Sequence, residues 1–226
     1  MSELRRGLVA LGDSITRGRG GTPALGIHFQ SWAQWLAEAL ELPLTNLAAD
    51  AELAPGVLRD QVPRLAGPYD IGCLYIGVND ARGAGWDAAA FERDAAAIVA
   101  ALGAATDRVV VLTLPEDLGR PPCAPKPAQA NAALRRVASG AGALVVELAG
   151  FGGRRLVLPD AVHPTSAGQL ALADAAAQVL GAPRLPSSLA EPVQGTFHEA
   201  RYEAWWWRLW ARDVVRRARE RRVIAR

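Results

Sequence analysis

Three short segments hold residue types that together can run acyl transfer. The chain has three histidines, His28, His163 and His198, and only His163 has a carboxylate three residues before it: Asp160, in "PDAVHP". In a tight turn this spacing brings the carboxylate to Nδ1 of the imidazole, fixes the tautomer and leaves Nε2 as a base. Pro159 and Pro164 stiffen the segment. A base needs a nucleophile, and "LVALGDSITRG" supplies a hydroxyl where an apolar run stops at Gly-Asp-Ser, placing Asp13 and Ser14 just past its end. In "YIGVNDA", Gly77, Asn79 and Asp80 close another apolar run. The Asn79 amide can donate to a developing oxyanion, which needs a fixed donor in a dry site. Each segment alone has a plain structural reading: Ser14 as a helix N-cap, Asn79 and Asp160 as turn formers.

The elements that must position these residues alternate. Apolar runs at 7–11, 44–48, 71–79, 108–114 and 143–148 predict five strands, and between and after them lie helical patterns at 31–40, 87–102, 127–138 and 166–180. Ser31 is a candidate N-cap for the first of these, and "VLRDQVPRL" is a short helix interrupted by Pro63. Strand–helix alternation with continuously apolar strands predicts an α/β fold: a five-stranded parallel sheet with helices on both faces. Ligands in such sheets sit beyond the carboxyl ends of the strands, where Ser14, Asn79 and His163 all fall.

In order and context the three segments resemble the blocks of the SGNH hydrolases, or GDSL-type esterases and lipases: "GDSIT", "GVND" and "DAVHP", with the likeness spanning roughly residues 7–182. The resemblance implies a flavodoxin-like three-layer sandwich and acyl-ester chemistry. It implies Ser14 as nucleophile, His163 as base, Asp160 as its orienter, and Asn79 as oxyanion donor beside the Ser14 N–H. Asp13 and Gly77 support the two blocks. The family's second block normally places a glycine a few residues after an Asn-Leu pair, and its N–H completes the oxyanion hole. Here "NLAADAELAPG" departs from that pattern: five residues on from Asn46 stands Ala51 and not glycine, and the nearest glycine is Gly56. Ala51 can donate if its φ is negative, and at φ > 0 it is strained where glycine would not be. Asp50 beside it sets a carboxylate near the oxyanion. No metal and no cofactor is implied, and the expected partner is a small acyl ester.

Composition narrows the alternatives. Of 226 residues half are apolar, and 25 basic against 23 acidic residues give a net charge of +2, so nucleic acid is not an expected partner. Cys73 and Cys123 are too far apart in sequence for a CxxC pair and too few for a metal cluster, which favours a reducing compartment. No apolar run reaches spanning length, and the apolar part of "RRGLVALGD" is cut short by Asp13, so a cytoplasmic location is expected. The loop "TRGRGGTPALGIHF", with Arg17 and Arg19, reads either as a solvated rim or as a cradle for an anionic group. Residues 1–184 read as the hydrolase domain and 185–226 as a proline-containing linker followed by a Trp/Arg-rich helix. Residues 197–226 hold four of the seven tryptophans and nine arginines against four acidic residues. Packing on its own domain, a homodimer interface and contact with an anionic membrane surface are its three competing fates. A non-catalytic binding protein on the same fold, or a phosphate or nucleotide binder using the Gly-Arg loop, are the rival functions.

Overall fold

The computed structural model describes residues 6–20, 27–190 and 196–224; part of the Gly-Arg loop (21–26) and of the linker (191–195) lies outside the described residues. Five strands, β1 (Leu8–Gly12), β2 (Leu44–Asn46), β3 (Tyr69–Tyr75), β4 (Thr106–Leu112) and β5 (Leu144–Val146), form one sheet in the order β2-β1-β3-β4-β5. Every pairing is parallel. All five residues of β1 are buried, as expected for a central strand covered on both faces.

Four long helices supply the covering layers. The helices α2 (Trp32–Ala39) and α7 (Ser166–Leu180) pack together, as do α5 (Ala88–Ala105) and α6 (Lys126–Ala141). Their starts follow local chemistry: the Ser31, Asp87 and Thr165 side chains each accept a backbone N–H from the first turn of α2, α5 and α7. Trp32 and Trp35 of α2 are fully buried against the sheet core. The predicted helix around Pro63 is instead a short α-turn (Ala54–Gly56, α3) running into a π-turn and a 3₁₀ turn at Val62–Arg64.

Two short helices lie at the site: the first was open in the sequence only through the reading of Ser14 as an N-cap, and the second was not expected. Strand β1 ends in α1 (Ser14–Arg17), and β3 stops at Tyr75, four residues before the end of its apolar run, followed by α4 (Val78–Arg82). The break is at Gly77, whose φ of 113° is open to glycine and strained for other residues. Asn79 therefore sits on a helical turn. The strand order reverses between β1 and β3, so the crevice beyond their carboxyl ends opens where α1 and α4 begin. The C-terminal helix α8 (Thr196–Ile224) lays Tyr202 and Trp206 against residues 154–157 while exposing Trp207, Trp210, Val214 and Val215. No helix among the described residues is long and apolar enough to cross a membrane.

Candidate active site

Asp13, and not Ser14, caps α1. Its Oδ1 accepts the Ile15 N–H at 2.9 Å, which makes Ser14 the first helical residue and frees its hydroxyl for other partners. The Ser14 hydroxyl, nearly buried, lies 3.1 Å from Nε2 of His163. Nδ1 of the same ring lies 2.7 Å from Asp160 Oδ2. The other carboxylate oxygen, Oδ1, accepts the Val162 and His163 N–H groups at 2.9 and 3.1 Å. Burial raises the pKa of Asp160, but the hydrogen bond and charge of His163 and the two amides outweigh it and hold the carboxyl below its ordinary range. An ionised carboxylate only accepts, so the ring proton sits on Nδ1 and Nε2 is left to accept from Ser14. The Asp-x-x-His spacing thus does in the fold what it predicts in sequence.

Residues 46–54 form the opposite wall. Ala49 N–H donates to the Gly12 carbonyl at 3.2 Å, which lays this segment beside the start of α1. The Asn79 amide donates to the Glu52 carbonyl at 3.0 Å, and the Ala54 N–H donates to Asp80 Oδ1 at 3.1 Å, which ties α4 to the same segment. Ala51 has φ 58°, the left-handed conformation that glycine takes without cost, and its N–H has no hydrogen-bond partner among the described residues. Nor has the Ser14 N–H one among them. Gly56 is not an alternative donor: it lies in the α3 turn, and its N–H is taken by the Leu53 carbonyl at 2.9 Å. Asp50 does not confront the site as a bare charge. Arg17 and Arg19 both pair with its Oδ2, and the Arg19 hydrogen bond is foremost in holding its carboxyl below the ordinary range. The two arginines of the Gly-Arg loop are therefore both paired with Asp50.

Several residues that hold this geometry have no obvious mark in the sequence. Gln61 is buried, accepts the Gly12 N–H at 3.0 Å and donates to the Gly12 carbonyl at 2.8 Å, bracketing the end of β1. Gln169 accepts the Trp32 N–H at 2.8 Å and donates to the Ile15 carbonyl at 3.2 Å. A signal existed for Gln169: it stands three residues after Ser166 and four before Ala173, on the buried stripe of α7. Gly20 passes so close that a side chain there would begin 2.6 Å from Cβ of His163. Asp13 is fully buried, and burial pushes its carboxyl up to about 7 against the opposing Ile15 amide and His163 charge. Among the described residues no group of three His, Cys, Asp or Glu side chains is placed to hold a metal ion.

A parallel α/β sandwich with a serine, a histidine and an aspartate bonded in series beyond its strands is an arrangement suited to acyl transfer. The profile of the GDSL-like Lipase/Acylhydrolase family matches residues 10–171, and the chain belongs to that family. It is a hydrolase acting on acyl bonds. Solved structures with the same fold include LAE5, an alpha/beta hydrolase enzyme from the metagenome of Lake Arreo, Spain, at 21% identity and TM-score 0.63, covering 78% of this chain and 95% of that one. Axe2, an acetylxylan esterase from Geobacillus stearothermophilus, is 18% identical with TM-score 0.61, covering 78% and 94%. TesA is 21% identical with TM-score 0.64, covering 76% and 97%. No curated protein sequence matches the chain.

Proposed function

We propose that the protein is a serine esterase working through an acyl-enzyme. The observation that carries this is the continuous chain from Ser14 Oγ to His163 Nε2 (3.1 Å) and from His163 Nδ1 to Asp160 (2.7 Å). As Ser14 Oγ attacks the ester carbonyl, its proton passes to Nε2, and Asp160 stabilises the imidazolium. The carbonyl oxygen becomes an oxyanion facing the Ser14 and Ala51 N–H groups and the second amide hydrogen of Asn79. Collapse breaks the carbonyl carbon's bond to the alkoxy oxygen, and the alcohol leaves with the proton from Nε2. Water then attacks the acyl group on Ser14, His163 takes its proton and returns it to Ser14, and a carboxylic acid is released. These steps use no metal and no cofactor.

A small acyl ester is the substrate this reading takes; a cavity of about 200 Å³ lined by Leu53, Pro55, Trp86 and Phe91 among others adjoins Asn79 but is not bordered by Ser14 or His163. The binding-protein reading rested on Ala51; its φ is positive and not negative as donation was expected to need, yet a left-handed backbone keeps the N–H, and that N–H has no partner among the described residues, which supports the hydrolase. Both cysteines are free, Cys73 fully buried, which supports a reducing, cytoplasmic setting. A p-nitrophenyl ester series from acetate to decanoate tests the reading. Hydrolysis greatest at the short end and absent in Ser14→Ala is expected; turnover retained by Ser14→Ala contradicts it.

A further inference from the structure

The helix α8 is connected to Asp160 and His163 through the backbone that carries them. Residues 154–165 double back on themselves: Val157 bridges antiparallel to Pro164, the Leu158 N–H donates to the His163 carbonyl at 2.9 Å, and the Thr165 N–H donates to the Leu156 carbonyl at 2.9 Å. Asp160 and His163 occupy the tip of this hairpin. Between them Ala161 has φ 53°, a left-handed backbone in a residue with a side chain. Strain of this kind persists only where the surroundings hold it. One support is the Gly119 N–H, which donates to the Ala161 carbonyl at 2.9 Å.

The Thr165 hydroxyl, at the start of α7, donates to the Arg155 carbonyl, and Val162 is buried in the sheet core; a further grip comes from α8, at the base of the hairpin. The Tyr202 hydroxyl donates to the Arg154 carbonyl, and Trp206 Nε1 donates to the Val157 carbonyl at 3.2 Å. Glu199 pairs with Arg155, Glu203 with Arg154 at 3.6 Å, and the Arg154 guanidinium lies over the Trp207 ring. Tyr202 and Trp206 are 5% and 9% exposed on a helix whose neighbouring Trp207 and Trp210 are 47% and 40% exposed, so burial singles out the two residues that bond the hairpin. A cavity of about 200 Å³, bordered by Trp206, Trp210, Pro159 and Ala161, separates α8 from the hairpin tip. The helix therefore acts on the tip through the base.

We propose that α8 is a strap in which Tyr202 and Trp206 are positioning residues, bracing the 154–165 hairpin so that Asp160 and His163 stay aligned on Ser14. This deepens the esterase reading and rests on it for its consequence in catalysis. Loosening the base lets Ala161 relax toward an unstrained conformation, and either neighbour then turns away from Ser14. Ground-state binding does not pass through this hairpin base, so kcat falls and KM holds.

The test uses the 226-residue chain with Tyr202→Phe and Trp206→Phe combined, which removes both donors; Tyr202→Phe keeps its ring, whereas Trp206→Phe also gives up the five-membered ring of the indole, so Tyr202→Phe alone isolates the donor. Expected are a 10- to 100-fold fall in kcat (about the cost of a misplacement near 1 Å) with KM within about twofold, and weakening of the downfield proton resonance of His163 Nδ1–H bonded to Asp160. Val215→Ala, on the exposed side of α8, should leave both readouts unchanged. A double variant with wild-type kcat and an intact resonance overturns the strap. The resonance needs no substrate, so a wild-type chain inert to every ester sinks the esterase reading while still deciding the strap. If the double variant does not fold, Tyr202→Phe alone decides by the same resonance.

Discussion

Arg19 holds Asp50 through two nitrogens, Nε at 2.9 Å and Nη2 at 2.6 Å, and Arg17 Nη1 reaches the same carboxylate oxygen at 2.9 Å. The acid that adjoins the Ala51 amide is thereby neutralised. Removing both arginines leaves a carboxylate beside the forming oxyanion. Arg17→Gln with Arg19→Gln should lower kcat, by up to about fivefold for partners this exposed, and adding Asp50→Asn should restore it. Ester kinetics at low and high salt check this; a triple variant no faster than the double one refutes it.

Ala51 carries a left-handed backbone that costs a non-glycine residue about 1–2 kcal/mol. Ala51→Gly should relieve the strain at some cost in unfolded-chain entropy, raising stability by about 1 kcal/mol or less, and should leave kcat at or above wild type because the donating N–H is unchanged. Urea midpoints and initial rates measure the two effects. A lower midpoint would show that the observed φ is not strained.

Asn79 gives one amide hydrogen to the Glu52 carbonyl and has a second to offer. Asn79→Ala should cost about 10²–10³ in kcat with KM little changed. Normal kcat in this variant would reduce Asn79 to a tie between α4 and residue 52.

Asp13 makes stability depend on pH in an uncommon direction. The unfolded carboxyl loses its proton near pH ~4, whereas the folded one, raised by burial, keeps it to about 7. Between these limits the folded state binds more protons, so this group's contribution falls as pH rises, by up to about 1.4 kcal/mol per unit. Asp13→Asn retains the oxygen that caps Ile15 and removes the charge. Its stability should lose that slope, with the largest gain over wild type above pH ~7. Denaturant melts from pH 4 to 8 test this, and parallel curves for the two proteins contradict it.

Legibility in the sequence followed the range of the interactions. Ser14, His163 and Asp160 were readable because local spacing and strand-end placement mark them, and strand–helix alternation marked the sheet. Strand three was drawn to Asn79 because "IGCLYIGVN" is apolar throughout; the break comes from one torsion at Gly77, which hydropathy does not register. Ala51 was readable as the glycine position but not in the sign of its φ, which long-range bonds from Ala49 and Asn79 to its segment set. Gln61 and Gln169 read as ordinary helix polars, because their partners lie 49 and 137 residues away. Packing of the tail on its own domain was one of three open fates, and no residue pattern marks the carbonyls of Arg154 and Val157 as its anchors, because they lie 48 and 49 residues away.

The esterase reading requires Ser14 to be an activated nucleophile, and a fluorophosphonate reports on this because it reacts with an activated serine and stays bound. Intact mass spectrometry of the treated full-length chain, followed by peptide mapping, should find one adduct per chain, on Ser14. The adduct should be absent in Ser14→Ala and form far more slowly in His163→Ala. A chain that stays unmodified, or carries its adduct on another residue, contradicts the account.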